Sequence, residues 1–274
     1  MEENAFWAEK ISWKNKFDIA IAGDSRALIG ISPEVLEEEL KGYKFGNVAF
    51  AALIYSKEYL EYVRNSLNEK SDQKAIIICF SPRSLLSDKR ADCYFRITKK
   101  ENHNFIITEI NRHASWLRTL FQEFSISEFK IEYPPRTKRH LILSFPSGWM
   151  ASKVFPENWL GSSSQYLSYF QSSKIDEKLL DMIFQYTKIW NNEGIKVLGI
   201  RIPTSKKIRG IEHRWSSFDD LSVHERFEKS GGIWLEPKND SLVIDDGSHM
   251  RYDSAICYSR RLAVELKKHL NGDK

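Results

Sequence analysis

The chain has 274 residues, 42% hydrophobic and 28% charged, an ordinary globular composition with material for one large α/β domain. A net charge of only +4, with no basic helix carrying interleaved aromatics, argues against nucleic acid as a partner. Three scattered cysteines without a CxxC pair argue against a disulfide framework and a structural zinc, and the longest apolar runs are strand-sized, too short to span a membrane.

The N-terminus, Met1-Glu2-Glu3-Asn4, lacks the basic-then-apolar layout of a signal peptide. Residues 1–16 predict a lead-in helix on the sheet edge, carrying Phe6, Trp7 and Trp13. Phe17 to Ala22 is an apolar-rich strand that runs straight into Gly23-Asp24-Ser25-Arg26. Ser25 thus stands where a buried parallel strand ends, the place where open α/β sheets present their chemistry. On that stretch alone two readings stand, a nucleophile or a helix N-cap.

Ser32-Pro33-Glu34 opens a helix that Gly42 stops. Tyr43 to Val48 reads as a second strand, and Ser56 to Leu67 as a helix with Tyr59, Leu60, Val63 and Leu67 on one face. Lys74 to Phe80 is nearly all apolar and is bounded by Ser81-Pro82-Arg83, as expected of a central strand buried on both faces. Cys79 within it is a core residue.

Residues 84–170 break the alternation and are expected to form an insertion over the carboxyl end of the sheet. They hold short alternating pieces at Tyr94–Thr98 and Phe105–Thr108, an amphipathic helix near Arg112–Phe124, and the basic patch Pro134–His140, which reads as a solvated loop. The aromatic, Pro- and Gly-rich stretch around Phe145-Pro146-Ser147-Gly148-Trp149 follows. Regular order returns with a helix at Ile175–Asn192, a strand at Ile195–Ile202, a polar loop over 204–216, a short helix at Phe218–Lys229, a fifth strand at Gly232–Leu235 and a last helix at Tyr252–Leu270. The fold class expected is α/β: three layers, with a central parallel sheet of about five strands in a single domain.

Asp246-Gly247-Ser248-His249 precedes the last helix. An Asp and a His three residues apart on a turn can hydrogen-bond, which fixes the imidazole tautomer and leaves its other nitrogen free as a base. The two ends of a doubly wound domain can meet above the sheet, so Ser25, His249 and Asp246 together supply a hydroxyl, a base and an orienting carboxylate. Asp245 is the runner-up acid.

Gly23-Asp24-Ser25 after an N-terminal strand, with Asp246-x-x-His249 before the C-terminal helix, resembles the SGNH (GDSL-type) hydrolase superfamily. The resemblance implies a flavodoxin-like fold, no cofactor and no metal, and an oxyanion hole built from the N–H of Ser25, the N–H of Ala49 (where the family has Gly) and a donor after the third strand. That donor is usually Asn; Arg83 stands there, as an oxyanion donor, an anion-binding group or an ion-pair partner. Gly-Asp-Ser-Arg, Ser81-Pro82-Arg83 and Pro146-x-Gly148-Trp149 are similar to divergent members of bacterial envelopes that act in polysaccharide O-acylation and D-alanylation. Acyl-ester chemistry on a small-molecule or carbohydrate ester is therefore expected, with Asp24, Arg26, Asn47 and Trp149 as candidate substrate contacts and His213 and Trp215 as further candidates for a sugar-stacking wall. The missing Asn implies a slow esterase, a substitute donor or a transferase; the alternative is an inactive carbohydrate-binding or assembly protein.

Overall fold

The structure, a computed structural model, describes residues 3–87, 94–101, 139–155 and 162–270. Its centre is a five-stranded all-parallel sheet made of β1 (Ile19–Ala22), β2 (Phe45–Asn47), β3 (Ala75–Phe80), β6 (Lys196–Arg201) and β7 (Ile233–Trp234), in the order β2-β1-β3-β6-β7. This is the flavodoxin-like order, and its topological switch point lies between β1 and β3, where ligands bind outside the carboxyl ends of the strands. A separate antiparallel hairpin pairs β4 (Arg139–Ser144) with β5 (Met150–Phe155).

Every residue of β1 and β3 is buried, which explains their unbroken apolar character: helices cover both faces. On one side lie α2 (Ser25–Gly30), α3 (Pro33–Glu39) and the C-terminal α10 (Tyr252–Leu270); on the other lie α4 (Lys57–Ser66), α7 (Glu177–Asn192) and α9 (Asp220–Lys229). Each fully buried Ile or Leu in this core contributes about 1.5–3 kcal/mol relative to exposure. Caps set the helix starts where the sequence placed them: Ser32 accepts from Val35 N–H at 3.4 Å and Ser56 from Tyr59 N–H at 3.2 Å.

Two expectations change, and the lead-in helix stands where it was expected. Residues 204–216 are not a loop; they hold α8 (Lys206–Trp215), capped by Ser205. Tyr94–Thr98, alternating in sequence, lies in the helix α5 (Tyr94–Glu101). Its buried residues, Phe95 and Thr98, are a helical step apart, and Phe95 packs on Phe50, Tyr59 and Tyr62 with centroids 5.3–5.4 Å away. The lead-in helix α1 (Glu3–Ile11) is buried through Phe6 and Trp7. The expected features at Phe105–Thr108, Arg112–Phe124 and Pro134–Lys138 lie outside the described residues, as does Cys93.

Within the insertion, the β4–β5 turn docks beside β2. Asn47 N–H donates to Ser147 O at 2.8 Å, and Lys10 Nζ donates to Gly148 O at 2.8 Å. Gly148 has φ +90°, and a Cβ there would sit 2.1 Å from Asn47 O, so this turn admits only glycine. Helix α6 (Ser162–Ser172) packs on α8 and reaches the carboxyl end of the sheet. No described helix is long and apolar enough to cross a membrane.

Candidate active site

Gly23 closes β1 at a point of close approach: a Cβ there would fall 2.8 Å from Ala27 Cβ and 2.9 Å from Cys79 Cβ. Its N–H donates to Tyr59 Oη at 3.0 Å, and Tyr59 Oη donates to Val48 O at 3.1 Å, so one phenol splints the ends of β1 and β2. Asp24 follows and is the N-cap of α2; its Oδ1 accepts Arg26 N–H at 3.0 Å. The capping role is therefore filled by Asp24, and the Ser25 hydroxyl is free for another partner.

That partner is His249. Its Nε2 lies 2.8 Å from Ser25 Oγ, and its Nδ1 lies 2.9 Å from Asp246 Oδ2. Asp246 Oδ1 accepts the backbone N–H groups of Ser248 (2.9 Å) and His249 (2.8 Å). Gly247 at φ +87° lets the chain turn tightly enough for this. Burial pushes the Asp246 carboxyl up, but the adjacent imidazole, its hydrogen bond and the two backbone donors outweigh it and hold the group well below the usual carboxylate range. Asp246 is thus an anion set to hold Nδ1–H, leaving Nε2 as the acceptor for the Ser25 proton. Asp245 is not the orienting acid: its Oδ2 accepts Val154 N–H at 2.9 Å and ties the loop to β5. The three residues meet at the switch point between β1 and β3, with the His249 side chain 19% exposed and so reachable from solvent.

No protein-family model, curated protein or solved structure matches the chain.

A buried ionic network stands behind the triad, and the sequence did not suggest it. The Arg26 guanidinium donates from Nη2 to Glu212 Oε1 at 2.6 Å and from Nε to Ser248 Oγ at 3.2 Å. Ser248 Oγ lies 2.6 Å from Tyr166 Oη on α6, and Arg26 Cζ stacks 5.1 Å from the Tyr166 ring. Glu212 Oε2 accepts from Arg201 Nη2 at 2.6 Å, and Arg201 also pairs with Asp220 at 3.0 Å. Burial raises the Glu212 carboxyl, but its two arginines prevail and lower it. The network joins Arg26, the residue after Ser25, to Ser248, the residue before His249.

The candidate substrate contacts need correction. Arg26 is 1% exposed and belongs to the network. Asp24 is the cap. Asn47 is fully buried, and its Nδ2 donates to Ala27 O (2.8 Å) and Ile31 O (3.0 Å), closing the C-terminal end of α2. Trp149 is buried on Phe145, with Nε1 donating to Ile29 O at 2.8 Å. None of the four presents a polar face to the crevice. Of the remaining aromatic candidates, His213 is exposed and Trp215 half-buried on α8.

The three expected oxyanion donors stand in different environments. Ala49 N–H donates to Asn47 Oδ1 at 3.2 Å and is engaged. Ser25 N–H, at the first position of α2, has no acceptor among the described residues. Arg83 sits in the 3-10 turn Pro82–Leu85 after β3, 8% exposed, with Cζ stacked 4.3 Å from the Tyr169 ring. Among the described residues no cluster of His, Cys, Asp or Glu is arranged to hold a metal ion.

Proposed function

We propose that this protein is a serine-dependent acyl-ester hydrolase or O-acyltransferase acting on a carbohydrate or cell-envelope ester. The observation that carries the reading is the continuous relay from Ser25 Oγ through His249 to Asp246, with links of 2.8 and 2.9 Å. In the reaction, Ser25 Oγ bonds to the ester carbonyl carbon while His249 Nε2 takes its proton. The negative charge that develops on the carbonyl oxygen is met by Ser25 N–H. Collapse expels the alcohol, which takes the proton back from His249, and leaves an acyl-serine. Water, or the hydroxyl of an acceptor, then repeats the sequence and releases the acyl group. Asp246 stays ionised throughout and stabilises the imidazolium.

The test is covalent labelling with a fluorophosphonate together with hydrolysis of p-nitrophenyl acetate. Wild type should be labelled and should turn the ester over; Ser25→Ala should do neither. Equal behaviour of the two proteins in both assays would sink the proposal.

A second reading, a glycan-binding protein without turnover, is favoured by one observation: the Ala49 N–H is engaged by Asn47, which thins the oxyanion hole. It predicts no adduct and glycan binding undiminished in Ser25→Ala.

A further inference from the structure

Arg83 differs from the other buried arginines near the site. Arg26 and Arg201 share Glu212. The Arg83 guanidinium has no carboxylate partner among the described residues, and its Nη1 is buried without any hydrogen-bond partner. Its one described contact is the Tyr169 ring beneath it, which satisfies the guanidinium face and leaves the edge donors unused. Tyr169 is itself held, accepting from Gln165 Nε2 at 2.6 Å, so the cation rests on a fixed platform. Leaving a buried charge without an opposite charge is costly. A planar guanidinium in that state is a pre-formed receptor for a carboxylate or phosphate, which it can bind through two parallel hydrogen bonds.

Its position relates it to the chemistry. β3 and β1 are neighbours, with Ala22 paired to Ile78, so the turn after β3 forms the opposite lip of the crevice that Ser25 occupies. Tyr169 lies 6.1 Å from Tyr166, whose hydroxyl meets Ser248 beside His249. Arg83 is thus packed through α6 against the loop that carries the base.

We infer that Arg83 is the subsite for an anionic group, carboxylate or phosphate, carried by the ester substrate next to its scissile bond. The inference rests on the esterase reading and narrows it to esters of anionic molecules, such as acidic sugars or polyol phosphates. Of the roles open to Arg83, ion pairing inside the protein finds no acid among the described residues.

The experiment compares kcat/KM for 4-acetoxybenzoate and 4-acetoxyphenyl phosphate with that for the neutral methyl 4-acetoxybenzoate, in wild type, Arg83→Lys and Arg83→Gln. Intrinsic ester reactivity cancels when the anionic-to-neutral ratio is compared between proteins. The ratio should fall by about tenfold or more in Arg83→Gln, the loss expected for one charge-assisted contact, and part of it should survive in Arg83→Lys. The carboxylate and phosphate arms tell which anion is preferred. In parallel, calorimetry should show 4-acetoxybenzoate binding to Ser25→Ala about tenfold more tightly than to Ser25→Ala/Arg83→Gln. This arm does not depend on turnover, so it tests Arg83 even if the esterase reading fails. An unchanged ratio with unchanged binding would overturn the inference. So would an equal fall on anionic and neutral esters, which would make Arg83 an oxyanion donor instead.

Discussion

Glu212 offers the sharpest test of how the site is held. It is 1% exposed, and each carboxylate oxygen takes one guanidinium at 2.6 Å. In Glu212→Gln the side-chain shape is kept, but the charge is lost and an amide NH2 faces one of the two arginines. Leaving a buried charge uncompensated costs about 3–5 kcal/mol. Unfolding entropy of roughly 2.1 cal/mol/K per residue over 274 residues converts each kcal/mol into about 1.7 °C, so Tm should fall by about 5–9 °C. Fluorophosphonate labelling should slow as well, by about ten- to a hundredfold, because Arg26 would no longer be fixed where its Nε holds Ser248.

The double variant Arg26→Met/Glu212→Leu separates the two effects. Removing the pair together leaves no orphaned charge, and Arg201 keeps Asp220 at 3.0 Å; such apolar replacements are often neutral or stabilising. The double variant should melt above Glu212→Gln while its labelling stays slow, since Ser248 Oγ has lost the Arg26 Nε donor and keeps only Tyr166 Oη. Calorimetric Tm and the labelling rate, measured on the same preparations, decide it. If the double variant melts no higher than Glu212→Gln, or if Glu212→Gln melts within about 2 °C of wild type, the reasoning about compensated burial is wrong.

Asp246→Asn should keep the loop, because the amide oxygen can still accept the Ser248 and His249 N–H groups. Its NH2 then faces Nδ1 and drives the imidazole proton onto Nε2, so kcat for ester hydrolysis should fall by about 10⁴-fold. A loss under tenfold would remove Asp246 from the relay. Lys10 is buried among Phe6, Trp7, Trp13 and Phe50, with Nζ 5.1–6.0 Å from their centroids, and burial pushes its ammonium well below the ordinary lysine value of 10.5. The unfolded chain therefore binds the extra proton, so stability rises with pH from the folded value up to 10.5. Lys10→Met should lose this rise: the Tm difference between wild type and variant should shift in favour of wild type from pH 7 to pH 10, and parallel curves would contradict the assignment.

The sheet was legible because its strands are local and extreme: β3 is six consecutive buried residues, and no surface element looks like that. The last helix, Tyr252–Leu270, was readable to both ends because its buried residues keep one helical period. Helix α8 was not, for a physical reason. Its buried positions are Ile208 and Glu212, and a buried glutamate reads as solvent-facing until Arg26, 186 residues away, and Arg201, at the end of the preceding strand, are brought to it by the fold. The Ser205 cap is the local signal of its start. The substrate contacts failed through a different assumption, that neighbours in sequence of the nucleophile share its exposure. Around a strand end the chain turns, and Asp24 and Arg26 face inward on either side of Ser25.

Three consecutive residues accordingly carry three jobs that do not interfere. Asp24 satisfies the start of α2, so Ser25 is not drawn into capping and its hydroxyl turns to His249. Arg26, one residue further, reaches under the loop to Ser248. Ser25 and His249 come from opposite ends of the chain, 224 residues apart, and the packing of α10 on α2 and α3 together with short links such as this one keeps them in register. Asn47 closes the end of α2 with its amide and takes the Ala49 N–H with its oxygen, so the side chain that anchors the helix of Ser25 also occupies an N–H that the proposed oxyanion hole would use. In the proposed esterase reaction, charge stabilisation would then come from the Ser25 N–H and from the substrate's own placement. In the proposed reaction an anionic handle held by Arg83 would supply that placement without touching the reacting carbonyl.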